Sequence, residues 1–147
     1  MISWRRNGAK FTDNRYARAH EWRFDGGVVV PASSSPRVVP VPLSSEAAVD
    51  PEEALVASAS SCHMLWFLSL AARRGFVVEC YLDHAVGVME PGPEGKLAFT
   101  RITLRPKIEF VGGSGPTPEE LRSLHAAAHE ECFIARSLKT EILVEDP

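Results

Sequence analysis

The sequence predicts an α+β fold in which two main helices pack on a largely antiparallel β-sheet, in the order β-β-β-α-β-β-α-β. Three observations favour this class. A long apolar segment in the first half of the chain begins with helix-capping residues, and a shorter amphipathic segment near its end begins in the same way. Short stretches rich in β-branched and aromatic residues, separated by turn residues, fill most of the remainder and are typical of strands.

Length, composition and charge indicate one globular domain over residues 1–147. The chain has 147 residues with an apolar fraction of 45%, which is enough to bury a core. Its 16 basic and 19 acidic residues are intermixed, so no charged block would attract nucleic acid or an anionic membrane. Small molecules or soluble proteins are therefore the expected partners. The polar opening at residues 4–8 is unlike a secretory signal, and we expect a cytoplasmic location.

The N-terminal part is predicted to form a β-meander. Its strands are expected at residues 2–11, 16–24, 27–30 and 38–41. The first two strands would meet around a turn at 12–15. The Ser/Pro-rich segment 31–36 is too short for an interdomain linker and predicts a surface loop.

The first helix is predicted from about residue 51 to about residue 74. Asp50 can cap it, Pro51 suits its first position, and Glu53 completes a capping box. Gly75 marks its end, because glycine readily adopts the left-handed conformation that stops a helix. Serine and histidine residues interrupt the apolar run, so a buried helix explains it better than a membrane span. Apolar residues on every side indicate that the helix is surrounded, and we expect a second copy of the chain to help cover it in an obligate homodimer.

The second helix repeats the same opening signal. Thr117 is the predicted cap, Pro118 takes the first position, and Glu120 closes the capping box, with the helix running to about Phe133. Apolar stretches outside the two helices predict the remaining strands, at residues 77–89, 97–111 and 140–144.

Cys62 and Cys132 each lie on the apolar face of a predicted helix. Residues on the face of Cys62 are Leu55, Ala59 and Trp66, and those on the face of Cys132 are Leu121, Leu124 and Ala128. If the two helices touch, the two thiols can meet. In a reducing compartment such a pair is more often reactive than structural. The third cysteine, Cys80, alternates with Val78 and Leu82 in a predicted strand and is expected in the core.

Two motifs in register resemble the OsmC/Ohr family of osmotically inducible and organic-hydroperoxide-resistance proteins. They are Asp50-Pro51-Glu52-Glu53-Ala54-Leu55 followed by Ser60-Ser61-Cys62, and Ala128-His129-Glu130-Glu131-Cys132 followed by the closing strand at Lys139-Thr140-Glu141. The resemblance covers essentially the whole chain and includes the distance between the cysteines. It implies an OsmC-like fold and an intertwined homodimer with a long buried central helix. It also implies a peroxidase that prefers organic hydroperoxides and uses no metal or other cofactor.

The resemblance assigns a role to each candidate site residue. Cys62 would be the peroxidatic cysteine, and Cys132 the resolving one that converts its sulfenic acid to a disulfide. A lipoyl-type or other small dithiol would then reopen the disulfide. An arginine from the first hairpin turn, oriented by Glu52, would stabilise the thiolate; Arg15 in the predicted turn is the first candidate and Arg18 the alternative. Such an enzyme would serve in defence against oxidative or osmotic stress.

The spacing of Glu52 and Cys62 constrains where that site can be. Ten residues of unbroken helix span about 15 Å, so Glu52 cannot touch Cys62 of its own helix. Glu52 therefore acts through a reaching arginine or comes from the partner chain, and we expect the site at the dimer interface.

An apolar pocket is expected beside the thiols. Its predicted lining is Met64, Trp66, Phe67, Phe133 and Ile134. Burial of an alkyl or aryl group there would favour bulky organic hydroperoxides over hydrogen peroxide. An alternative hypothesis is a non-catalytic dimer that uses the same pocket to bind a ligand.

A zinc site is the remaining alternative. Its candidate ligands are Cys62, His63, His129 and Cys132, which offer the sulfur and nitrogen atoms that zinc prefers. Adjacent residues on one helix point about 100° apart, which argues against Cys62 and His63 sharing one ion. The commoner role for His63, His125 and His129 is to pack or to form hydrogen bonds.

Overall fold

The computed structural model describes residues 1–113 and 115–145, and it confirms the predicted α+β class. In chain order the elements are β1 (Ile2–Ser3), β2 (His20–Arg23), β3 (Val29–Ala32), α1 (Pro51–Arg73), β4 (Val78–Asp83), β5 (Val86–Pro91), β6 (Leu97–Leu104), β7 (Pro106–Phe110), a 3₁₀ turn (Val111–Gly113), α2 (Pro118–Glu131), α3 (Phe133–Ser137) and β8 (Glu141–Val144). The chain divides into two compact units, Met1–Leu55 and Val56–Pro147. The single domain over 1–147 stays a prediction.

The first unit holds a small antiparallel sheet in the order β1-β2-β3, much shorter than predicted. The predicted strands at 2–11 and 16–24 are wrong in extent, since only Ile2–Ser3 and His20–Arg23 pair. Asn7 and Gly8 have φ values of 48° and 80°, and Asn14 has a φ of 58°, so the chain turns where a strand would have to continue. The strand predicted at 27–30 is shifted to Val29–Ala32.

Two further predictions for this unit are wrong. The segment 38–41 forms turns rather than a strand, because Pro40 and the neighbouring Pro36 and Pro42 remove backbone donors that a sheet needs. The segment 31–36 is not a surface loop. Ser33 within it is fully buried: its N–H donates to the carbonyl of Val49 at 3.0 Å, and its hydroxyl accepts from the N–H of Ser45 at 3.1 Å.

Helix α1 begins and ends as the sequence predicts. The N–H of Glu53 donates to the Asp50 carboxylate at 2.7 Å and the N–H of Asp50 donates to the Glu53 carboxylate at 2.9 Å, which completes the capping box. At the other end Gly75 has a φ of 82°. The N–H of Phe76 reaches the carbonyl of Ala71 at 3.0 Å, a Schellman motif that satisfies the last turn.

The chain buries only one row of α1, although the sequence predicts a helix surrounded on all sides. The buried row, spaced four residues apart, is Ala59, His63, Phe67 and Ala71. Cys62 and Trp66 lie beside this row and are half-buried, and Leu65 on the outer side is 60% exposed. By length and composition alone α1 could cross a membrane, but core helices of water-soluble proteins meet the same criterion.

The second unit contains a two-stranded sheet β4-β7 and a three-stranded sheet β5-β6-β8. Each of the predicted strands at 77–89 and 97–111 is divided into two strands, because both segments pass from one sheet to the other near Asp83. Its carboxylate accepts from the N–H of Arg105 at 2.6 Å and from the hydroxyl of Ser60 at 2.5 Å, which fixes the crossing. The closing strand β8 pairs in parallel with β6, whereas the other strand pairs are antiparallel.

The prediction that Cys80 lies in the core is wrong. A register shift between Val78 and Cys80 in the pairing of β4 with β7 breaks the alternation on which that prediction rested. As a result Cys80 is exposed, as is Leu82.

Helix α2 has the predicted capping box between Thr117 and Glu120 and ends at Glu131. Its inner face, with Leu124 and Ala128 fully buried, packs against Phe67 and Ala71 of α1 in one core cluster. A second cluster joins Ala59 to the sheet residues Ile102, Leu104 and Ile142. These two clusters hold α1 between α2 and the sheets of this unit, which places the middle of α1 beside the end of α2.

Candidate active site around Cys62 and Cys132

Two helices bring Cys62 and Cys132 together in the second unit. Cys62 lies near the middle of α1 and is half-buried, while Cys132 is 1% exposed at the junction of α2 and α3. The backbone of Cys132 is extended, with φ −66° and ψ 111°, and therefore ends α2 before the predicted Phe133. Its Sγ accepts from the N–H of Ala135 at 3.4 Å and caps α3, a helix that sequence analysis missed. A cap made by the sulfur itself fixes where the thiol points.

The two thiols are free, and Cys132 lies close enough to Cys62 for the two to interact. Burial is the main cause that raises the pKa of Cys132, and the neighbouring Cys62 thiol raises it further. The N–H groups of Ala135 and Ile134 act in the opposite direction but are weaker. Cys132 is therefore held as a protonated thiol at neutral pH, in contact with a more accessible partner. This arrangement suits a pair in which Cys62 reacts first and Cys132 second.

A cavity of about 570 Å³ opens beside Cys62. Trp66, Phe133 and Ile134 line it as predicted, and the Trp66 and Phe133 rings meet edge to face with centroids 5.7 Å apart. The other two predicted lining residues lie elsewhere. Phe67 is fully buried in the core, where its ring contacts His125 and Tyr81, and Met64 is not among the residues that line the cavity.

Sequence analysis missed several residues that line the same cavity. They are Ser58, Ser61, Leu65, Ser69 and Arg73. All five lie on α1 at intervals of three or four residues, together with Cys62 and Trp66. That helical spacing was the signal available in the sequence, and it would have separated Trp66 from Phe67.

His63 and His125 form a second link between α1 and α2, in line with the expected packing or hydrogen-bonding role. Nε2 of His63 and Nδ1 of His125 are 3.0 Å apart, and the rings are nearly parallel. Burial, together with His125 and His129, lowers the pKa of His63 to about 4. His63 is therefore neutral at physiological pH.

The zinc alternative finds no support. Among the described residues, no three His, Cys, Asp or Glu side chains are grouped so that they could hold a metal ion. His63 points into the core toward His125, whereas Cys62 faces the cavity. The four candidate ligands Cys62, His63, His129 and Cys132 therefore do not converge.

The first unit has a cavity of its own, about 470 Å³ in volume, that contains Arg18 and Glu52. The Arg18 guanidinium lies 3.8 Å from the centre of the Tyr16 ring and donates to the side chain of Asn14 at 2.9 Å. Oε2 of Glu52 is buried, with no hydrogen-bond partner in the described part of the chain. Arg15 is exposed and does not line this cavity. Of the two candidate arginines, Arg18 is thus the one placed with Glu52.

The family model described as OsmC-like protein matches residues 44–145. An OsmC-like protein of unknown function from Vibrio cholerae has a solved structure that is 53% identical. The match covers 99% of this chain and 95% of the Vibrio cholerae chain, with a TM-score of 0.95. No functionally curated protein matches.

More distant structures share the fold. An organic hydroperoxide resistance protein OsmC from Legionella pneumophila is 18% identical over 86% of this chain and 89% of its own, with a TM-score of 0.66. The organic hydroperoxide resistance protein OhrB of Bacillus subtilis is 16% identical over 89% of this chain and 92% of its own chain, with a TM-score of 0.65. At this level of identity the likeness establishes the architecture alone.

Proposed function

Because this chain belongs to the OsmC-like protein family, and belonging to that family supports a stress-related redox role, we propose that it is a thiol-dependent peroxidase. Its proposed reaction is the reduction of organic hydroperoxides to alcohols. The observation that carries the proposal is the proximity of two free thiols, one enclosed and one beside a cavity. A structural pair of cysteines would not need this asymmetry, whereas a reacting pair does.

The reaction begins at Cys62. Its thiolate attacks the terminal oxygen of the hydroperoxide, so that an S–O bond forms and the O–O bond breaks. The departing alkoxide takes up a proton and leaves as the alcohol, while Cys62 is oxidised to a sulfenic acid. The Cys132 sulfur then attacks the Cys62 sulfur, which forms the disulfide and releases water. An external dithiol, of the lipoyl type or another small thiol, reduces the disulfide by exchange and is itself oxidised.

The cavity beside Cys62 favours organic substrates. Trp66, Phe133 and Ile134 offer apolar surface on which an alkyl or aryl group gains about 25 cal/mol for each Å² removed from water. Hydrogen peroxide has no such group. We therefore expect a higher kcat/KM for cumene hydroperoxide than for hydrogen peroxide, and equal values would contradict this assignment.

The thiolate also needs a cation, and we assign that role to Arg18. Arg18 shares a cavity with Glu52, whose buried Oε2 can accept from a guanidinium that turns toward it. Arg15, the first candidate from the sequence, is exposed. A lower kcat/KM in Arg18→Met than in Arg15→Met would support the assignment, and the reverse order would contradict it.

A homodimer is part of the proposal. Leu65 is 60% exposed on α1, and the chain itself buries one row of this helix, so a second copy is the natural cover for the apolar remainder. Glu52 and its arginine would then reach Cys62 of the partner chain. Sedimentation equilibrium should give the mass of two chains, and a monomer at micromolar concentration would contradict this part. We further propose a cytoplasmic location and a role in oxidative or osmotic stress defence.

Steady-state turnover tests the proposed function. Wild type should consume cumene hydroperoxide with dihydrolipoamide as the reductant, and Cys62→Ser should show no turnover. Cys80→Ser should match wild type because Cys80 is exposed and does not line the cavity beside Cys62. Absence of turnover in wild type, with both thiols unreacted, would instead favour the ligand-binding dimer, for which the cavity of about 570 Å³ is the supporting observation.

A further inference from the structure

A buried histidine pair connects the two helices that carry the thiols. His63 on α1 is 1% exposed and His125 on α2 is 6% exposed, and their ring nitrogens are 3.0 Å apart. The ring of Phe67 stacks on His125 with centroids 4.6 Å apart and restricts its rotation. This hydrogen bond is a directional contact beside the apolar cluster formed by Phe67, Ala71, Leu124 and Ala128.

The pair lies close to both cysteines along the chain. His63 directly follows Cys62, and its side chain is rotated about 100° around α1, toward the core instead of the cavity. His125 precedes Cys132 by about two helical turns and lies on the same inner face of α2. A shift of α1 against α2 that separates the thiols would therefore also break the histidine contact.

The state of the rings favours a single fixed geometry. Burial keeps His63 neutral, with a pKa of about 4, so one ring donates a single N–H and the other accepts it. Nδ1 of His63 is buried and has no hydrogen-bond partner in the described residues. Turning the His63 ring over would therefore break its hydrogen bond to His125, and this loss disfavours other orientations of the ring.

We propose that the His63–His125 hydrogen bond is a positioning element that holds α1 and α2 in the register at which the Cys62 and Cys132 sulfurs meet. This inference rests on the proposed two-cysteine cycle, and it concerns the second step only. In that step the Cys132 sulfur bonds to the sulfur of the Cys62 sulfenic acid, the S–O bond breaks, and the Cys132 proton leaves with the hydroxyl group as water. A rotation of either helix that moves the two sulfurs apart slows this step and gives a second peroxide time to oxidise Cys62 to the sulfinic acid.

The test measures how the sulfenic acid is partitioned. Wild type, His63→Leu and His63→Gln are oxidised with increasing cumene hydroperoxide, and intact mass gives the ratio of disulfide to sulfinic acid. His63→Leu should lower that ratio about three- to tenfold, the equivalent of one net hydrogen bond, and His63→Gln should recover part of it. His84→Gln, at an exposed histidine between β4 and β5, is the matched control and should leave the ratio unchanged. A folded His63→Leu variant with the wild-type ratio would overturn the proposal.

A second measurement separates this inference from the peroxidase itself. The Cys62–Cys132 disulfide is equilibrated with glutathione, which requires no peroxide chemistry, and its equilibrium constant should fall about three- to tenfold in His63→Leu. If wild type shows no peroxide turnover but the constant shifts, the proposed function fails and the positioning role stands. If His63→Leu does not fold, ¹⁵N shifts of the wild-type histidines decide. One defined neutral tautomer for each ring supports the hydrogen bond, and averaged tautomers at His63 contradict it.

Discussion

Cys132 lies beside Cys62, close enough for the Cys62 thiol to raise its pKa, while almost no surface of Cys132 reaches solvent. The two residues come from different helices, and each is placed by its own local device. Cys62 sits beside the buried row of α1, and the Cys132 sulfur caps α3 by accepting the N–H of Ala135. The raised pKa of Cys132 and the open side of Cys62 fit the proposed roles, in which Cys62 reacts first and Cys132 second.

Replacement of the enclosed thiol should stop the cycle after its first step. In Cys132→Ser the serine hydroxyl can still cap α3, so the fold should remain, but no second sulfur is available. Treatment with one equivalent of cumene hydroperoxide should leave a sulfenic acid on Cys62 that a dimedone-type reagent traps, and excess peroxide should give the sulfinic acid. Cys80→Ser serves as control and should form the disulfide as wild type does. Disulfide formation in Cys132→Ser through Cys80 would contradict the pairing.

The aromatic edge of the cavity should determine selectivity. Phe133 contacts Trp66 and is 63% exposed, so Phe133→Ala removes surface for the substrate with little effect on the core. We expect KM for cumene hydroperoxide to rise several-fold, equivalent to about 1 kcal/mol, with no change for hydrogen peroxide. Val77→Ala, at an exposed position away from the cavity, is the comparison variant. A parallel loss on both peroxides would show that Phe133 acts on the fold or on the thiols.

Phe67 should matter for stability although it does not line the cavity. Its side chain is fully buried among Ala71, Leu124 and Ala128. Phe67→Ala should lower the free energy of unfolding by about 3–5 kcal/mol in urea titrations, because a large cavity is left in the core. Val77→Ala, in contrast, should change it by less than about 0.5 kcal/mol. Similar values for both variants would mean that this cluster is not the core.

Stability should fall in mild acid because of His63. Its pKa is about 4 in the folded chain, against 6.5 as the ordinary value, owing to burial and to the neighbouring His125 and His129. Between these values the unfolded chain binds a proton that the folded chain does not, so stability is full above about pH 6.5 and declines toward pH 4. The decline attributable to His63 is about 3 kcal/mol at most. Urea titrations at several pH values should show a shallower decline in His63→Gln, and an equal slope would contradict the assignment.

The sequence was informative wherever local chemistry decides the structure. The Asp50 and Thr117 caps, the Gly75 stop and the inner face of α2 all follow from short-range rules and were predicted correctly. The fold class followed from the same elements. The extents of the N-terminal strands were wrong, although Asn7-Gly8 is a dipeptide typical of turns and asparagine adopts positive φ more readily than most residues.

The site was predictable in its chemistry but less so in its geometry. The cysteine pair could be found from helical spacing and motif resemblance. Helical spacing could have separated Trp66, which lies four residues after Cys62, from Phe67, which is rotated about 100° further around α1. The bulge that exposes Cys80 depends on the pairing of β4 with β7, two segments distant in the sequence. The short α3 begins at a cap made by a cysteine sulfur, and cysteine is not among the residues whose presence signals a helix start.

The most direct test of the account is a single-turnover oxidation. Reduced wild-type protein receives one equivalent of cumene hydroperoxide and is then alkylated, digested and analysed by mass spectrometry. The account predicts a loss of two hydrogen atoms from the intact chain, a peptide cross-linked between Cys62 and Cys132, and an alkylated Cys80. Alkylation of all three cysteines, with the hydroperoxide unconsumed, would contradict it.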